Sequence, residues 1–314
     1  MTEAGRGHLA MLAFSALVAG SFSLGSMAAP HIAPQALNAV RFVIAAVLMF
    51  ALVMSTGGVT RAAFVAPWRY FVLAVFFCAY FVLMFEGLKT GAPVSMSAVF
   101  TLTPLMAAGF GWLLLRQILT PRMALALAIG ALGALWVIFR ADLSALRSFE
   151  IGRGEAIFFV GCFGHAIYTP LVARLNRGER PAVFTLGTLI AGSVLLLLVG
   201  WRSMVATDWA ELPAVVWIAI AYTSVFASAT TFLLLQYASL RIPSAKVMAY
   251  TYLTPSWVIL WEMALGRPMP PLLILVGVVM TAGALWLLLK NDSEVRGRGV
   301  SERETLKRET LGGE

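Results

Sequence analysis

The stretch Leu102-Thr103-Pro104-Leu105 recurs in the second half of the chain as Leu253-Thr254-Pro255-Ser256. A second pair of matching stretches follows in the same order: residues 130–136 read Gly-Ala-Leu-Gly-Ala-Leu-Trp, and residues 281–286 read Thr-Ala-Gly-Ala-Leu-Trp. Two matches in one order predict that the chain consists of two copies of a single unit.

The composition places both copies in a lipid bilayer. Of 314 residues, 60% are hydrophobic and 12% charged, which is about half the charged fraction of a typical soluble domain. A hydrocarbon core about 30 Å thick needs about 20 apolar residues per helix. The stretches that meet this requirement are 8–28, 35–55, 68–88, 93–115, 121–140, 153–173, 182–201, 213–238, 243–265 and 270–290. We therefore predict an all-α polytopic membrane protein with ten transmembrane helices.

The two copies are predicted to have opposite orientations, because each contains five spans and five is an odd number. The first repeat covers 8–140 and the second covers 153–290, while the polar stretch 291–314 reads as a disordered cytoplasmic tail. Inverted repeats are typical of alternating-access transporters, whose substrate site lies near the bilayer midplane between the repeats.

The net charge of +8 reflects membrane topology and gives no sign of nucleic-acid binding. Basic residues stand singly at helix ends; connections after even-numbered spans carry nine, and those after odd-numbered spans carry six. By the positive-inside rule this bias predicts that both termini are cytoplasmic. The two cysteines, Cys78 and Cys162, lie inside predicted spans and are expected to be free.

Several short motifs occur in the order typical of one transporter family. They are Asn38-Ala39-Val40-Arg41-Phe42, Gly87-Leu88, Ser239-Leu240, the two Leu-Thr-Pro stretches, Pro121 and the Gly/Ala-rich fifth and tenth spans. The chain resembles the drug/metabolite transporter superfamily and, within it, the EamA family of ten-span exporters. It is similar in particular to the YddG-type bacterial exporters of aromatic and other neutral amino acids. The resemblance implies secondary transport across the bacterial inner membrane, without a cofactor.

The chain departs from this resemblance at positions that bear on the substrate. Many family members carry a tryptophan in span one and another in span six, where this chain has Ala19 and His165. Many also carry Gly-Glu after spans four and nine, where this chain has Arg116-Gln117 and Gly266-Arg267. The missing tryptophans predict a roomier or differently shaped site.

The candidate substrate-binding residues are aromatic, hydroxyl-bearing or amphipathic side chains within the spans. They suit a mostly apolar pocket with a few placed polar groups. The alternative for each is packing between helices or contact with lipid. The candidates are Tyr80, Met84, Ser97, Thr101, His165, Tyr168, Gln236, Met248 and Tyr252.

Few ionisable residues lie within the spans, and such residues are functional candidates because burying a charge in lipid is costly. Glu86, His165 and Glu262 are the candidates for energy coupling, although Glu86 is better explained by an ion pair with Lys89, three residues on. For Glu262, an ion pair at the helix end with Arg267, five residues on, is an equally good explanation. Arg41 either snorkels to the interface or meets a substrate carboxylate, and we favour a structural role. Pro104 and Pro255, at matching repeat positions, are the candidate hinges and are expected to kink their helices.

The sequence thus predicts an exporter of small neutral metabolites, with aromatic or neutral amino acids as the leading substrates. A multidrug, nucleoside or sugar exporter of the same superfamily is the alternative, and a passive channel also fits the repeat. A membrane-embedded enzyme is disfavoured, because no His-Glu-x-x-His motif and no intramembrane aspartate pair occur. The expected partners are the solute and the lipid bilayer. No metal site is predicted, and the sequence fixes no oligomeric state; a monomer is compatible with it.

Overall fold

The structure is a computed structural model that describes residues 2–59, 61–142, 144 and 151–289. The predicted tail 291–314 lies outside these residues. The regular elements within the described ranges are helical, and ten long helices follow the predicted spans. They are α1 Glu3–Ala28, α2 Pro34–Ser55, α3 Trp68–Gly87, α4 Pro93–Leu115, α5 Pro121–Ile138, α6 Arg153–Leu175, α7 Pro181–Ala206, α8 Ala214–Ser239, α9 244–264 and α10 Leu272–Leu289. In this part of the chain, all except α9 are long and apolar enough to cross a membrane by themselves. The prediction of an all-α membrane protein is confirmed.

Local sequence signals fix where several of these helices begin. A proline occupies the first turn of α2, α5 and α7, where its missing N–H group costs no helical hydrogen bond. The side chains of Thr2 and Thr120 cap α1 and α5, accepting hydrogen bonds from the backbone N–H groups of Gly5 and Met123.

The packing of α1 and α6 shows that the two repeats are inverted. Gly7, near the start of α1, lies beside Ala238 at the end of α8. Gly154, at the start of α6, lies directly against Gly87 at the end of α3. Gly25, near the end of α1, also approaches the end of α3 at Leu88. The end of α1 and the start of α6 therefore share one face of the bundle, so the two corresponding helices run in opposite directions.

The connections after the even-numbered helices meet on the face where α1 begins, which we call the first face. Arg241, between α8 and α9, donates a 2.7 Å hydrogen bond to Glu3. Arg180, between α6 and α7, donates to the carbonyl of Gly58, between α2 and α3, at 2.6 Å. Gln117, after α4, accepts from the N–H group of the first α9 residue at 3.2 Å. An even number of spans returns residue 289 to this same face.

A buried ion pair also ties the two repeats together at the first face. Arg69 at the start of α3 donates a 2.5 Å hydrogen bond to Glu179 between α6 and α7, and both side chains are at most 4% exposed. Burial raises the pKa of Glu179, but hydrogen bonds from Arg69 and from the backbone N–H of Arg177 outweigh it and hold the pKa below its ordinary value. The carboxylate is therefore charged at neutral pH.

Helices α4 and α9 are interrupted, whereas the sequence predicts that they are kinked but continuous. Helix α4 consists of Pro93–Phe100 and Thr103–Leu115, and α9 consists of Ser244–Ala249, a 3₁₀ turn Tyr250–Leu253 and Thr254–Ala264. Pro104 and Pro255 each lie in the first turn of the last segment. Each lacks an N–H group and clashes with the carbonyl four residues earlier, so a new helix begins where an old one cannot continue.

Helix α8 contains an irregularity that the sequence analysis did not predict. Its residues Val225–Thr230 form a π-helical turn between two α-helical segments, Ala214–Ser224 and Thr231–Ser239. Such turns are rare and frequently lie at functional sites.

Candidate functional site

The interruptions of α4 and α9 contact each other in the core. The Thr103 hydroxyl lies 3.3 Å from the Thr251 hydroxyl, and both residues are fully buried. The Thr103 hydroxyl also lies 2.7 Å from the carbonyl oxygen of Phe100, at the end of the first α4 segment. Two broken helices, one from each repeat, therefore bring irregular backbone together at the junction of the repeats. Irregular backbone of this kind occurs inside membranes only where protein or a cavity shields it from lipid.

Aromatic rings surround His165 of α6 beside this junction. The His165 ring lies 4.5 Å from the ring of Tyr80, 5.0 Å from Phe100, 5.3 Å from Phe77 and 6.1 Å from Phe14, measured between centroids. These rings come from α1, α3 and α4, so helices of the first repeat enclose a histidine of the second. We call this group the His165 cluster.

A short polar chain extends the His165 cluster towards α8. Tyr168, one helical turn after His165, stacks on Phe77 at 4.1 Å and 11°. The side-chain amide of Gln236 donates to the Tyr168 hydroxyl at 2.7 Å and to the Thr188 hydroxyl at 3.4 Å. Rings and hydrogen-bonding groups from α3, α6, α7 and α8 thus lie side by side.

Several buried polar atoms in this core lack a hydrogen-bond partner within the described residues. They include the Tyr80 hydroxyl, His165 Nδ1, the Gln236 side-chain oxygen and the Tyr252 hydroxyl. Leaving such a group unsatisfied costs about 1–3 kcal/mol, and native proteins usually satisfy it with protein or water. The core therefore offers donors and acceptors to a polar solute or to water.

Arg41 of α2 is fully buried next to the π-helical turn of α8. Its guanidinium donates to the Ser228 hydroxyl at 2.6 Å, the Ala227 carbonyl at 2.6 Å and the Asn38 side-chain oxygen at 3.3 Å. The ring of Phe81 covers its plane, 3.8 Å from the guanidinium carbon to the centroid. Snorkelling to the interface, which the sequence left open, does not occur here.

The other predicted substrate residues are buried in the same core, but not all join the His165 cluster. The hydroxyls of Ser97 and Thr101 donate to carbonyls of their own helix, at 2.7 and 2.6 Å. Met84 and Met248 are fully buried. The ring of Tyr252 lies against Gly130 of α5.

Several residues that line the core are not predicted from the sequence. Phe77, Phe81, Phe100 and Ser228 were not singled out, although the spacing of Phe77 and Phe81 to Tyr80 puts them on one face of α3. That spacing was a usable signal. Nothing in the sequence pointed to Ser228, because its role depends on the π-helical turn.

The two acidic coupling candidates lie away from this core. Glu86 forms a 2.7 Å ion pair with Lys89, and both side chains are more than a third exposed. This is the pair that the spacing predicts. Glu262 is partly exposed near the end of α9, and no ion pair joins it to Arg267 within the described residues. Of the three candidates, His165 is the one enclosed by the core.

Comparison with known proteins agrees with this architecture. The family model of the EamA-like transporter family matches residues 5–139 and again residues 152–289. The chain belongs to the EamA-like transporter family. It is 25% identical over 295 residues to the uncharacterized transporter YyaM of Bacillus subtilis (strain 168), covering 91% of this chain and 97% of that protein. A solved crystal structure with 18% identity superposes with a TM-score of 0.71 over 93% of this chain and 98% of the other, which shows a shared fold.

Membership of the EamA-like family makes this a multi-pass membrane transporter with a small-molecule substrate. The family match covers each five-helix repeat once, in agreement with the inverted packing of α1 and α6. Both cysteines are free and buried, as the sequence predicts.

Proposed function

We propose that this EamA-family protein exports small neutral metabolites, with aromatic and other neutral amino acids as its substrates. The observation that carries the proposal is the junction of the interrupted helices α4 and α9 beside the His165 cluster. Broken helices at a repeat interface are a recurring way of building substrate sites in secondary transporters. The surrounding rings suit an aromatic or apolar side chain, and the unpartnered atoms suit the polar end of an amino acid.

Transport would proceed by rocking of the two five-helix repeats about this site. At and near the first face, α1 of the first repeat is held to the second repeat by Arg241 on Glu3 and by a 3.1 Å contact between His8 and Tyr250. Deeper in the bundle, Trp257 donates to the hydroxyl of Ser15, midway along α1, at 3.2 Å. At the opposite face, Gly154 of the second repeat rests on the end of α3. Opening one set of contacts while the other holds would expose the site to one side at a time.

The proposed location is the bacterial inner membrane, with both termini in the cytoplasm. The even number of spans puts both ends of the described helices at the first face, and the greater number of basic residues in the connections at this face supports a cytoplasmic assignment. Among the coupling candidates, the proposal places any proton-linked step on His165, because Glu86 and Glu262 lie outside the core. The protein acts as a carrier and not as an enzyme.

A flux assay in proteoliposomes tests the function. Purified protein is reconstituted, and uptake of radiolabelled phenylalanine, leucine, a nucleoside, a sugar and a cationic dye is measured with and without unlabelled solute inside. We expect saturable amino-acid uptake that is stimulated by amino acid on the other side. Uptake of dye, nucleoside or sugar alone would overturn the amino-acid assignment, and non-saturable uptake without trans-stimulation would indicate a channel.

A further inference from the structure

Arg41 carries a buried positive charge for which the described residues offer no counter-charge. The side chain is 0% exposed. Within the described residues, no carboxylate oxygen lies within the 4.0 Å that defines an ion pair for its guanidinium. A guanidinium does not lose its proton in proteins, so the charge persists in the core. A buried charge without a counter-ion is strongly destabilising.

The groups that hold Arg41 are all neutral. Ser228, Ala227 and Asn38 accept one hydrogen bond each, which leaves two of the five guanidinium N–H groups without a partner among the described residues. The Asn38 amide is itself oriented, because its nitrogen donates to the Pro34 carbonyl at 2.8 Å. These contacts fix the position of the guanidinium, but none of them neutralises its charge, and two of its N–H groups remain unpaired among the described residues.

The position of Arg41 connects it to the proposed site. Its plane lies on Phe81, whose ring is 4.7 Å from Tyr80 and 5.0 Å from Phe77, both members of the His165 cluster. One aromatic ring therefore separates the charge from the cluster. On the other side, Arg41 contacts the π-helical turn of the opposite repeat, so its surroundings change when the repeats move.

We propose that Arg41 receives the carboxylate of the transported solute. This rests on the proposed transport function and narrows its substrate class to solutes that carry a carboxylate. A guanidinium and a carboxylate form paired, charge-assisted hydrogen bonds, so the solute supplies both the counter-charge and the acceptors that the protein lacks. Ser228 acts as a positioning residue that holds Arg41 Nε, while the rings of the His165 cluster receive the apolar part of the solute.

The test compares each acid with its carboxamide, which keeps the shape and removes the negative charge. Uptake of phenylalanine and leucine, and of phenylalaninamide and leucinamide, is measured in proteoliposomes. We expect wild-type protein to prefer the acids about 10- to 100-fold, as a charge-assisted pair would provide. Arg41→Gln should lose this preference, and Arg41→Lys should retain part of it.

A matched pair of serine variants keeps the inference falsifiable if Arg41→Gln does not fold. Ser228→Ala removes the acceptor for Arg41 Nε. Ser224, one turn earlier in α8, is equally buried, and its hydroxyl donates to the Ile220 carbonyl of its own helix at 2.6 Å. We expect Ser228→Ala to lower the acid-over-amide preference about 3- to 10-fold, by loosening a hydrogen bond to a charged group. Ser224→Ala should leave the preference unchanged.

Three results would overturn the role of Arg41: equal uptake of acid and amide by wild-type protein, an unchanged preference in folded Arg41→Gln, or equal effects of the two serine variants. If the same liposomes carry dye, nucleoside or sugar but neither acid, the carboxylate inference fails while transport stands. If they carry no solute of the panel, the proposed function fails with it.

Discussion

Substitution of Gly154 by alanine tests a close backbone contact between the two repeats. A methyl group at this position would lie 2.6 Å from the backbone nitrogen of Gly91 and 2.9 Å from its Cα, and it would overlap the carbonyl oxygen of Gly87. All three are backbone atoms, so no side-chain rotation relieves the overlap. Helices α3 and α6 must move apart, and packing along their interface must loosen.

The expected magnitude follows from two opposing effects. Forcing an extra methyl group into a tight contact costs about 3 kcal/mol, at the upper end of overpacking because backbone is involved. Alanine in place of glycine returns about 1 kcal/mol through helix propensity. The net loss is about 2 kcal/mol, which corresponds to a fall in melting temperature of about 4–8 °C.

The assay is thermal unfolding of purified protein in detergent, followed by fluorescence. Gly283→Ala in α10 is the matched control, because its added methyl group meets no atom within 4 Å. The control should melt at the wild-type temperature or up to about 4 °C above it, since only the propensity gain applies. If Gly154→Ala melts as high as Gly283→Ala, the close approach of α3 and α6 is wrong.

Three further predictions concern ionisable groups. Glu179→Gln should lower the melting temperature at pH 7, and this deficit should shrink below pH 4.5. The pKa of the Glu179 carboxyl is lower in the folded protein than in the unfolded chain, so its charge stabilises the fold above the unfolded-state pKa. This stabilisation is lost as the pH falls through the folded-state pKa. A deficit independent of pH would contradict this. Glu86→Gln and Glu262→Gln should each retain transport in the flux assay, because both residues lie outside the core; complete loss in a folded variant would restore a coupling role. His165→Gln should flatten the pH profile of transport, and an identical sloping profile in variant and wild type would exclude His165 as a proton carrier.

The sequence shows which residues lie within the membrane spans, but it does not show which of them face the protein core and which face lipid. Leu189 and Leu198 lie in the same helix, α7, yet Leu189 is fully buried and Leu198 is 73% exposed. Lipid and protein interior are equally apolar, so an apolar residue fits either side. Sequence periodicity therefore could not tell which of the candidate residues face the core, and it did not show that Tyr252 packs on α5.

The sequence by itself determined the class, the number of spans, the inverted repeat and the positions of the two distorted helices, although it predicted kinks there and not breaks. Apolar composition demands a bilayer, an odd repeat demands inversion, and Pro104 and Pro255 cannot continue a helix. Only the tertiary structure decided that the breaks meet at Thr103 and Thr251 and that rings enclose His165. It also decided that Arg41 is buried, with no carboxylate beside it among the described residues. These features depend on contacts between segments that are distant in sequence. When a helix is apolar on every side, its sequence does not indicate which neighbouring helix each side will contact.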